Sequence, residues 1–330
     1  MERKVLRIST LVVVSALLLR LLGVFLPILS SEAVSVMLFL QTGRLVRPGN
    51  VIFTPDSTEP SDSTLSPTDF TQPEQSKPEN DLPVFSAGDA ALIAINSSFR
   101  YEADLPGLLT QPLNWKLTSD APTVLILHSH GSESYAPTGE YAEVSPYHTL
   151  EKDYNMLAVG DYVAQLLEAE GISVLHDTAL HDQPSYNAAY SNSRKSIQQY
   201  LEEYPSIQLV LDLHRDSIED AAGNQVVQTV FAGDQTLAPL MLVVGTDHGG
   251  LEHPAWRENF SLALKLQTQL ESLCPGICRN INLRTQRFNQ DLSAGALLIE
   301  IGSSGNSRQE ALRSAKVLAE AIISLANGSA

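Results

Sequence analysis

Three short apolar runs, each followed at once by a histidine or a glutamate, constrain the fold of this 330-residue chain most strongly. The runs and the residues that follow them are 124–127 with His128, 209–213 with His214, and 296–299 with Glu300. Between the runs lie amphipathic stretches with the period of a helix. Alternating strands and helices are typical of a mostly parallel sheet covered by helices on both faces. In such sheets ligands bind at the carboxyl ends of the strands, where these polar residues stand.

The periodic pattern predicts a domain over residues 91–330. Its predicted helices are 154–169, 191–204, 259–273 and 307–326, and its predicted strands are 124–128, 172–175, 207–213, 226–231, 241–245 and 296–301. The sequence contains no internal repeat and no glycine-rich phosphate loop. The fold class that follows is α/β, with a mostly parallel sheet flanked by helices.

The first fifty residues predict a membrane anchor. Residues 8–29 are apolar apart from Arg20, and together they reach the roughly 20 residues that a spanning helix needs. The alternative is a signal peptide built on residues 8–19, but no clear small-residue cleavage site follows Arg20. Because basic residues precede the apolar run, we expect a single-pass membrane protein with its N-terminus in the cytoplasm and the remaining chain outside.

Residues 51–90 predict a linker between the anchor and the domain. Residues 54–83 consist mainly of Ser, Thr, Pro, Asp and Glu, with Lys77 as their one basic residue. This composition cannot bury enough apolar area to offset the entropy lost on ordering, so we expect an extended, disordered tether. A tether raises the local concentration of the attached domain near its target.

Charge and cysteine content argue against nucleic acid as a partner and against a zinc knuckle. The net charge of −17 argues against nucleic acid as a partner, because phosphate binding needs clustered Lys and Arg. The two cysteines, Cys274 and Cys278, lack the further nearby ligands of a zinc knuckle. We expect them to form a local disulfide or to remain two thiols in a turn.

The polar residues after the strands predict a metal site. His128 and His130 follow the first run, Glu133 lies in the next loop, and His214 follows the second run. One of the first two histidines, together with Glu133 and His214, would give three nitrogen and oxygen ligands and leave a position for water. Catalytic zinc sites have this composition. The spacing leaves the choice between His128 and His130 open.

Nearby carboxylates predict supporting roles. Asp212 and Asp216 flank His214, and ligating imidazoles usually donate their second N–H to a carboxylate or a carbonyl. Glu300 interrupts an otherwise apolar strand, where a charged group is costly unless it is paired or functional. We expect Glu300 to act as a general base, and the structural alternative is an ion pair with Arg215 or Arg287.

Four ordered blocks of sequence resemble the catalytic domain of the stage II sporulation protein P family. Residues 128–135 are similar to its His-x-His-x-x-Glu-Ser motif, and residues 212–217 are similar to its Asp-x-His-Arg-Asp-Ser motif. Residues 287–292 and 298–302 match its last two blocks in the same order. The resemblance covers roughly residues 124–325 and, because four blocks occur in order, it is more specific than any single motif.

The resemblance implies a cell-wall hydrolase of endospore-forming bacteria. The family cleaves the amide between N-acetylmuramic acid and L-alanine, and it is also credited with endopeptidase activity on peptide cross-links. It works at the septal and engulfing membranes beside a lytic transglycosylase and a membrane scaffold. The wider relatives are zinc-dependent N-acetylmuramoyl-L-alanine amidases with an α/β fold. The implied cofactor is therefore Zn²⁺, and the implied partners are peptidoglycan, the membrane and those two proteins.

The resemblance also assigns roles to residues of this chain. The implied metal ligands and catalytic base are His128 or His130, Glu133, His214 and Glu300. Because the ligand glutamate of the wider amidases lies further along the chain, Glu151 is an alternative to Glu133.

Residues of the same blocks are candidates for contacts with substrate. Arg215, or Asn289 together with Arg287, would bind peptide carboxylates or the lactyl carbonyl, because the arginine fork pairs well with carboxylates. Two other functions compete with the amidase interpretation. One is a membrane-anchored scaffold with a vestigial metal site, and the other is a zinc carboxypeptidase-like enzyme that acts on protein.

Overall fold

The computed structural model describes residues 85–86, 88–113 and 115–328. In chain order the strands are β1 (Ile95–Ser97), β2 (Val124–Leu127), β3 (Val174–His176), β4 (Leu209–Asp216), β5 (Val230–Ala232), β6 (Gln235–Leu237), β7 (Leu240–Gly245), β8 (Ile281–Arg284) and β9 (Ala296–Ser303). The α-helices are α1 (Leu105–Thr110), α2 (Met156–Ala169), α3 (Ala189–Glu203), α4 (Trp256–Leu273) and α5 (Arg308–Gly328).

Seven of the strands form one sheet, in the order β1-β8-β7-β9-β4-β2-β3. Every neighbouring pair is parallel except β7 and β9, which run antiparallel. Strands β4 and β9 lie in the middle of the sheet and are its longest members, and almost all of their residues are buried. The predicted fold class, a mostly parallel sheet flanked by helices, is confirmed for the described residues.

Helix α3 covers one face of the sheet. Leu125 and Leu127 of β2 and Val210 of β4 pack in a single apolar cluster with Ile197 of α3. Successive strand residues point to opposite faces, so the intervening residues of these runs face the other side. Because both faces are buried, the strands read as continuous apolar runs rather than as alternating ones.

Local sequence signals explain where the helix α2 begins and ends. The Asn155 side chain caps its first turn by accepting a hydrogen bond from the Leu157 N–H at 3.0 Å. After the last turn, Gly171 has a φ of 79°, a left-handed conformation that glycine adopts without strain. The buried side of α2 packs against α5, which also packs against α4.

The structure differs from the predicted elements in several places. Strand β4 extends to Asp216, beyond the predicted end at residue 213, because β9 continues beside it and keeps pairing with it. Only the end of the predicted strand 226–231 is in a strand, β5, which pairs with β6 in a short hairpin outside the main sheet. Strands β1 and β8 were not predicted, since runs of three and four residues carry too little periodicity to be recognised.

The predicted anchor in residues 1–50 lies outside the described residues, as does most of the predicted linker 51–90. Both stay predictions, and so do the domain boundaries. In the part of the chain that the structure describes, no helix is long and apolar enough to cross a membrane. Within that same part, Cys274 and Cys278 are free thiols and not a disulfide.

Candidate metal centre

Three of the predicted ligands meet beside the carboxyl ends of β2 and β4. Ligand atoms of His130, Glu133 and His214 all lie within 4.8 Å of one another. His130 and Glu133 come from the loop that follows β2, and His214 comes from β4 itself. The parallel pairing of β2 with β4 brings these two segments to the same edge of the sheet.

Glu133 lies between the two imidazoles. Its Oε1 is 3.6 Å from Nδ1 of His130, and its Oε2 is 3.5 Å from Nδ1 of His214. Atoms bound to one tetrahedral zinc at about 2.0–2.2 Å lie roughly 3.3–3.6 Å from each other. The distance from Glu133 to each imidazole therefore suits ligands of one zinc ion, and His130 lies on the more exposed side of the cluster.

Asp212 fixes the orientation of the His214 ring. Its Oδ1 accepts a hydrogen bond from Nε2 of His214 at 2.9 Å, so Nδ1 is the nitrogen that faces Glu133. The same carboxylate also accepts hydrogen bonds from the N–H and the hydroxyl of Ser129, at 2.7 and 2.6 Å. A carboxylate that holds the far nitrogen of an imidazole is the usual support of a histidine that binds metal.

The charges of this cluster compensate one another. Burial alone would lower the pKa of His214, but Asp212 and Glu133 outweigh it and raise that pKa well above its usual value. Burial alone would raise the pKa of Glu133, but Arg215 and the two imidazoles lower it well below its usual value. The carboxylates Asp212 and Glu133 thus stabilise positive charge at this point of the fold, on the His214 imidazole or on a cation that replaces its proton.

Arg215 is buried and points into the protein. Its Nε donates to the carbonyl oxygen of Ser134 at 2.9 Å, and its Nη2 donates to that of Tyr147 at 2.8 Å. Its Nη1 lies 3.5 Å from Oε1 of Glu133. Arg215 therefore ties the loop after β2 to the glutamate, and its donors face protein atoms.

Glu300 stands beside His214 on the neighbouring strand. The two residues are register partners in the parallel pair of β4 and β9, so their side chains project to the same face. The Oε2 atom of Glu300 is buried and has no hydrogen-bond partner among the described residues. Burial raises the pKa of Glu300 to about 8, which is suitable for a group that exchanges a proton near neutral pH.

His128 faces away from this cluster. Its Nδ1 lies 2.8 Å from the carbonyl oxygen of Leu213, and its Nε2 lies 2.9 Å from Nε2 of His176. The side chain is fully buried, and burial followed by the charge of His176 lowers its pKa to about 3. Of the two histidines between which the spacing did not decide, His130 lies in the cluster, and His128 is buried inside the fold.

The other predicted site residues have partners elsewhere. Glu151 is exposed, and its Oε1 accepts from the Ala142 N–H, while Glu133 occupies the cluster. Asp216 pairs with Arg279 at 2.6 Å rather than with His214.

Arg287 and Asn289, the residues expected to bind substrate, also contact protein atoms. The Nη1 of Arg287 donates to the Glu252 carbonyl at 3.0 Å and lies 3.2 Å from Oδ2 of Asp291. Asn289 donates to the Tyr190 carbonyl at 2.9 Å. Their contact with substrate stays a prediction.

Two tyrosines that the sequence did not point out line the cluster. The Tyr186 ring stacks on His130 with centroids 4.2 Å apart, and its hydroxyl lies 3.2 Å from Nδ1 of that histidine. Tyr190 contacts His130 edge to face, and its ring lies parallel to that of His214. Tyr186 lies in the short 3₁₀ turn Tyr186–Ala188 and Tyr190 lies in the first turn of α3, so helical spacing in the sequence did not point to them. Burial raises the pKa of Tyr186, so its hydroxyl keeps its proton.

Fold and site together define an α/β protein with a candidate divalent-cation centre at the carboxyl edge of its sheet. The sequence model of the Stage II sporulation protein P family matches residues 53–323, and the chain belongs to this family. The resemblance drawn from the four blocks is thereby confirmed.

The Stage II sporulation protein P of Bacillus subtilis (strain 168) is 28% identical over 214 residues, which are 62% of this chain and 51% of that protein. The chain thus spans about half the length of this curated relative.

Solved structures with a distant likeness include two enzymes. The N-acetylmuramoyl-L-alanine amidase AmiC2 of Nostoc punctiforme is 17% identical, with 60% of this chain and 93% of that chain covered and a TM-score of 0.37. An N-acetylmuramoyl-L-alanine amidase from Clostridium difficile 630 is 16% identical, with 62% and 94% covered and a TM-score of 0.37.

Proposed function

We propose that this protein is a peptidoglycan hydrolase of sporulation that cleaves the amide between N-acetylmuramic acid and L-alanine. Membership of the family supports the biological role. The observation that carries the chemistry is the convergence of His130, Glu133 and His214 next to the partnerless buried oxygen of Glu300. Hydrolysis of an unactivated amide needs an electrophilic centre and a base together, and this arrangement supplies candidates for both.

In this proposal His130, Glu133 and His214 hold a zinc ion. Bound zinc supplies Lewis acidity toward an amide carbonyl and lowers the pKa of water. Asp212 keeps Nδ1 of His214 turned toward Glu133, and Arg215 holds Glu133 through its charge. His128 donates to the backbone of the residue before His214 and so supports the strand that carries it.

Glu300 is the proposed general base. Its Oε2 would accept a proton from the attacking water as the water oxygen bonds to the carbonyl carbon. It would then return that proton to the amide nitrogen as the C–N bond breaks, which leaves a carboxyl group on the lactyl side and a free amine on L-alanine. A carboxyl group whose pKa is raised to about 8 suits both halves of this transfer.

The proposed setting is the outer face of the cell membrane. The predicted anchor and the acidic linker would hold the domain close to the wall, where tethering increases the effective concentration of enzyme. A lytic transglycosylase and a membrane scaffold are proposed partners, and cleavage of peptide cross-links is a proposed second activity.

Digestion of purified wall sacculi tests the amidase proposal. The purified chain, loaded with one equivalent of zinc, should release stem peptides whose new amino terminus is L-alanine, and mass spectrometry of the products identifies that bond. New termini inside the stem peptide would instead indicate an endopeptidase. A chain that binds the wall and releases nothing would favour the scaffold interpretation.

A further inference from the structure

Tyr186 is the exposed aromatic group at the candidate metal centre. Its ring is stacked on the imidazole of His130, with planes 21° apart, while 52% of the residue remains open to solvent. The side chains of Glu133 and His214 are exposed by only 6% and 4%. Tyr186 therefore forms part of the solvent-facing side of the cluster.

The loop that carries Tyr186 is attached to the loop that carries the ligands. The Asp182 carboxylate accepts hydrogen bonds from the N–H and the hydroxyl of Ser132, at 3.0 and 2.5 Å, directly before Glu133. The side chain of Asn192 holds the same segment by donating to the His181 carbonyl at 2.8 Å. These bonds fix the position of the tyrosine relative to the cluster before any substrate arrives, which is the condition for a preorganised donor.

The stacking of the two rings determines where the Tyr186 hydroxyl lies relative to the lone pair of Nδ1 of His130. The hydroxyl lies in the plane of the phenol ring and therefore off the nearly parallel imidazole plane of His130. The lone pair of Nδ1 lies within the imidazole plane, so the hydroxyl, which lies within hydrogen-bond distance of this nitrogen, would give up that contact to a cation bound there. The hydroxyl, 3.2 Å from that nitrogen, lies beside the ligand direction and is placed to donate to a group that reaches the centre.

Amide hydrolysis needs a donor of this kind, because negative charge develops on the carbonyl oxygen. Arg215, the sequence candidate nearest to the ligands, is only 5% exposed, and its Nε and Nη2 already donate to the Ser134 and Tyr147 carbonyls. Tyr186 is both exposed and close to the ligand atom, since 52% of the residue is open to solvent and its hydroxyl lies 3.2 Å from Nδ1 of His130. The role therefore falls to the tyrosine.

We propose that Tyr186 is a catalytic residue whose hydroxyl donates a hydrogen bond to the carbonyl oxygen of the scissile amide while negative charge builds on that oxygen. This inference rests on the proposed amidase function. No covalent bond forms or breaks at Tyr186, and its proton stays on the phenol oxygen. Water adds to the carbonyl carbon, the C–N bond breaks, and the leaving nitrogen takes the proton that water gave up.

The test compares Tyr186→Phe with the wild-type 330-residue chain. The variant keeps the ring stacked on His130 and loses only the hydroxyl. We expect kcat to fall by about 10²–10³-fold, the usual loss for one such donor. The zinc dissociation constant, measured by competition with a chromogenic chelator, should stay within about twofold, because the variant retains His130, Glu133 and His214. Initial rates are followed as new amino termini released from wall fragments that lysozyme has made soluble.

Tyr162→Phe is the matched control. Tyr162 lies on α2, and its hydroxyl has no hydrogen-bond partner within the described part of the chain. The same chemical change there should leave kcat and zinc affinity at their wild-type values.

A second measurement does not depend on turnover. Acetohydroxamate presents anionic oxygens to a zinc ion, and one of them would accept the hydrogen bond from Tyr186. Calorimetric titration of the zinc-loaded protein should give roughly tenfold weaker binding to Tyr186→Phe than to the wild type. Equal binding would mean that the hydroxyl does not face the open side of the centre and would overturn the inference.

The remaining outcomes separate this inference from the function beneath it. A Tyr186→Phe variant with the wild-type kcat would remove the catalytic role of Tyr186 and leave the amidase proposal intact. A loss of zinc affinity of tenfold or more would make the hydroxyl a metal ligand rather than a donor to substrate. A wild-type chain that binds zinc and releases no amino termini would overturn the amidase proposal itself, and the role of Tyr186 with it.

Discussion

At the scale of single residues, Glu300 combines features that rarely occur together. It interrupts the buried strand β9, it is in register with His214, and its Oε2 has no partner in the described structure. An unsatisfied buried carboxylate oxygen costs stability, so a functional reason for it is expected. In the proposed mechanism that oxygen exchanges a proton with water and with the leaving nitrogen.

Glu300→Gln should separate chemistry from metal binding. The amide keeps the shape of the side chain but cannot accept and return a proton, so kcat should fall by about 10²–10⁴-fold. Zinc content after purification should equal that of the wild type. Glu320→Gln, on the half-buried side of α5, is the control with the same chemical change. A Glu300→Gln enzyme with the native rate would show that another group acts as the base.

Asp212 and Asp216 give a second comparison of residues. Both stand two positions from His214, but Asp212 lies 2.9 Å from its imidazole, whereas Asp216 pairs with Arg279. Asp212→Asn should weaken zinc binding by about 10–100-fold, because the imidazole loses the carboxylate that orients it. Asp216→Asn should leave zinc affinity within about twofold, as measured by chelator competition. Equal effects of the two substitutions would contradict the support assigned to Asp212.

At the scale of secondary-structure elements, the contact between α2 and β2 depends on one glycine. A Cβ atom built on Gly160 would overlap Nε2 of both His128 and His176. His128 cannot retreat without breaking its hydrogen bond to the Leu213 carbonyl, so the imidazole pair and the helix fit together only without a side chain at this position.

Gly160→Ala should therefore destabilise the protein, although alanine normally stabilises a helix by about 1 kcal/mol relative to glycine. Overpacking of this kind lowers the free energy of unfolding by about 1–3 kcal/mol. Urea unfolding followed by circular dichroism measures the change. Gln165→Ala, on the exposed side of the same helix, should be near neutral. A Gly160→Ala variant as stable as the wild type would mean that the imidazoles are free to move.

The packing of α1 against α4 buries a lysine. Lys265 is 2% exposed, and its Nζ donates to the Leu108 carbonyl and to the Ser261 hydroxyl, each at 2.7 Å. No carboxylate pairs with it among the described residues that contact its Nζ. Burial lowers the pKa of Lys265 to about 8, so this contact makes the stability of the fold depend on pH.

The sign of that dependence follows from proton binding. Below pH 8 the ammonium is present in both the folded and the unfolded chain, so the full cost of burying its charge applies. Between pH 8 and the ordinary value near 10.5, the folded chain releases the proton while the unfolded chain keeps it. The free energy of unfolding should therefore rise with pH in this window for the wild type relative to Lys265→Met. Parallel stability curves for the two proteins, from urea unfolding at several pH values, would contradict this.

At the scale of the whole molecule, the candidate metal centre connects the loop after β2 with strand β4. The loop after β2 supplies His130 and Glu133, and β4 supplies His214, so a bound ion would cross-link segments that are about 80 residues apart in sequence. Because the unfolded chain does not hold these side chains together, binding free energy becomes folding free energy.

Zinc should therefore stabilise the folded chain. With free zinc at about 1,000 times its dissociation constant, the gain is about 4 kcal/mol. Differential scanning calorimetry should show a melting temperature higher by roughly 8–16 °C than that of chelator-treated protein. His214→Ala should lose this increment because the site then lacks one ligand. An equal zinc-dependent shift in that variant would place the ion elsewhere.

The sequence predicted the order of the central strands and helices because their signals are local. Apolar runs of four to eight residues and helical periodicity can be recognised from the local sequence alone. The predicted bounds of the central elements lie within a few residues of the observed ones. The short strand β8 forms because it pairs with β7, and β1 forms because it pairs with β8. These contacts are distant in sequence, so no local pattern predicted the two strands.

The sequence by itself determined a mostly parallel α/β fold and placed histidines and carboxylates at the ends of its strands, since alternating strands and helices follow from local pattern. Only the tertiary structure decided which of these side chains meet. His130 rather than His128 reaches the cluster because partners 48 and 85 positions away hold the His128 ring inside the fold. Tyr186 reaches His130 from 56 positions away, through a loop held by Asp182. Ring orientation depends on such distant contacts, and spacing along the chain carries no information about them.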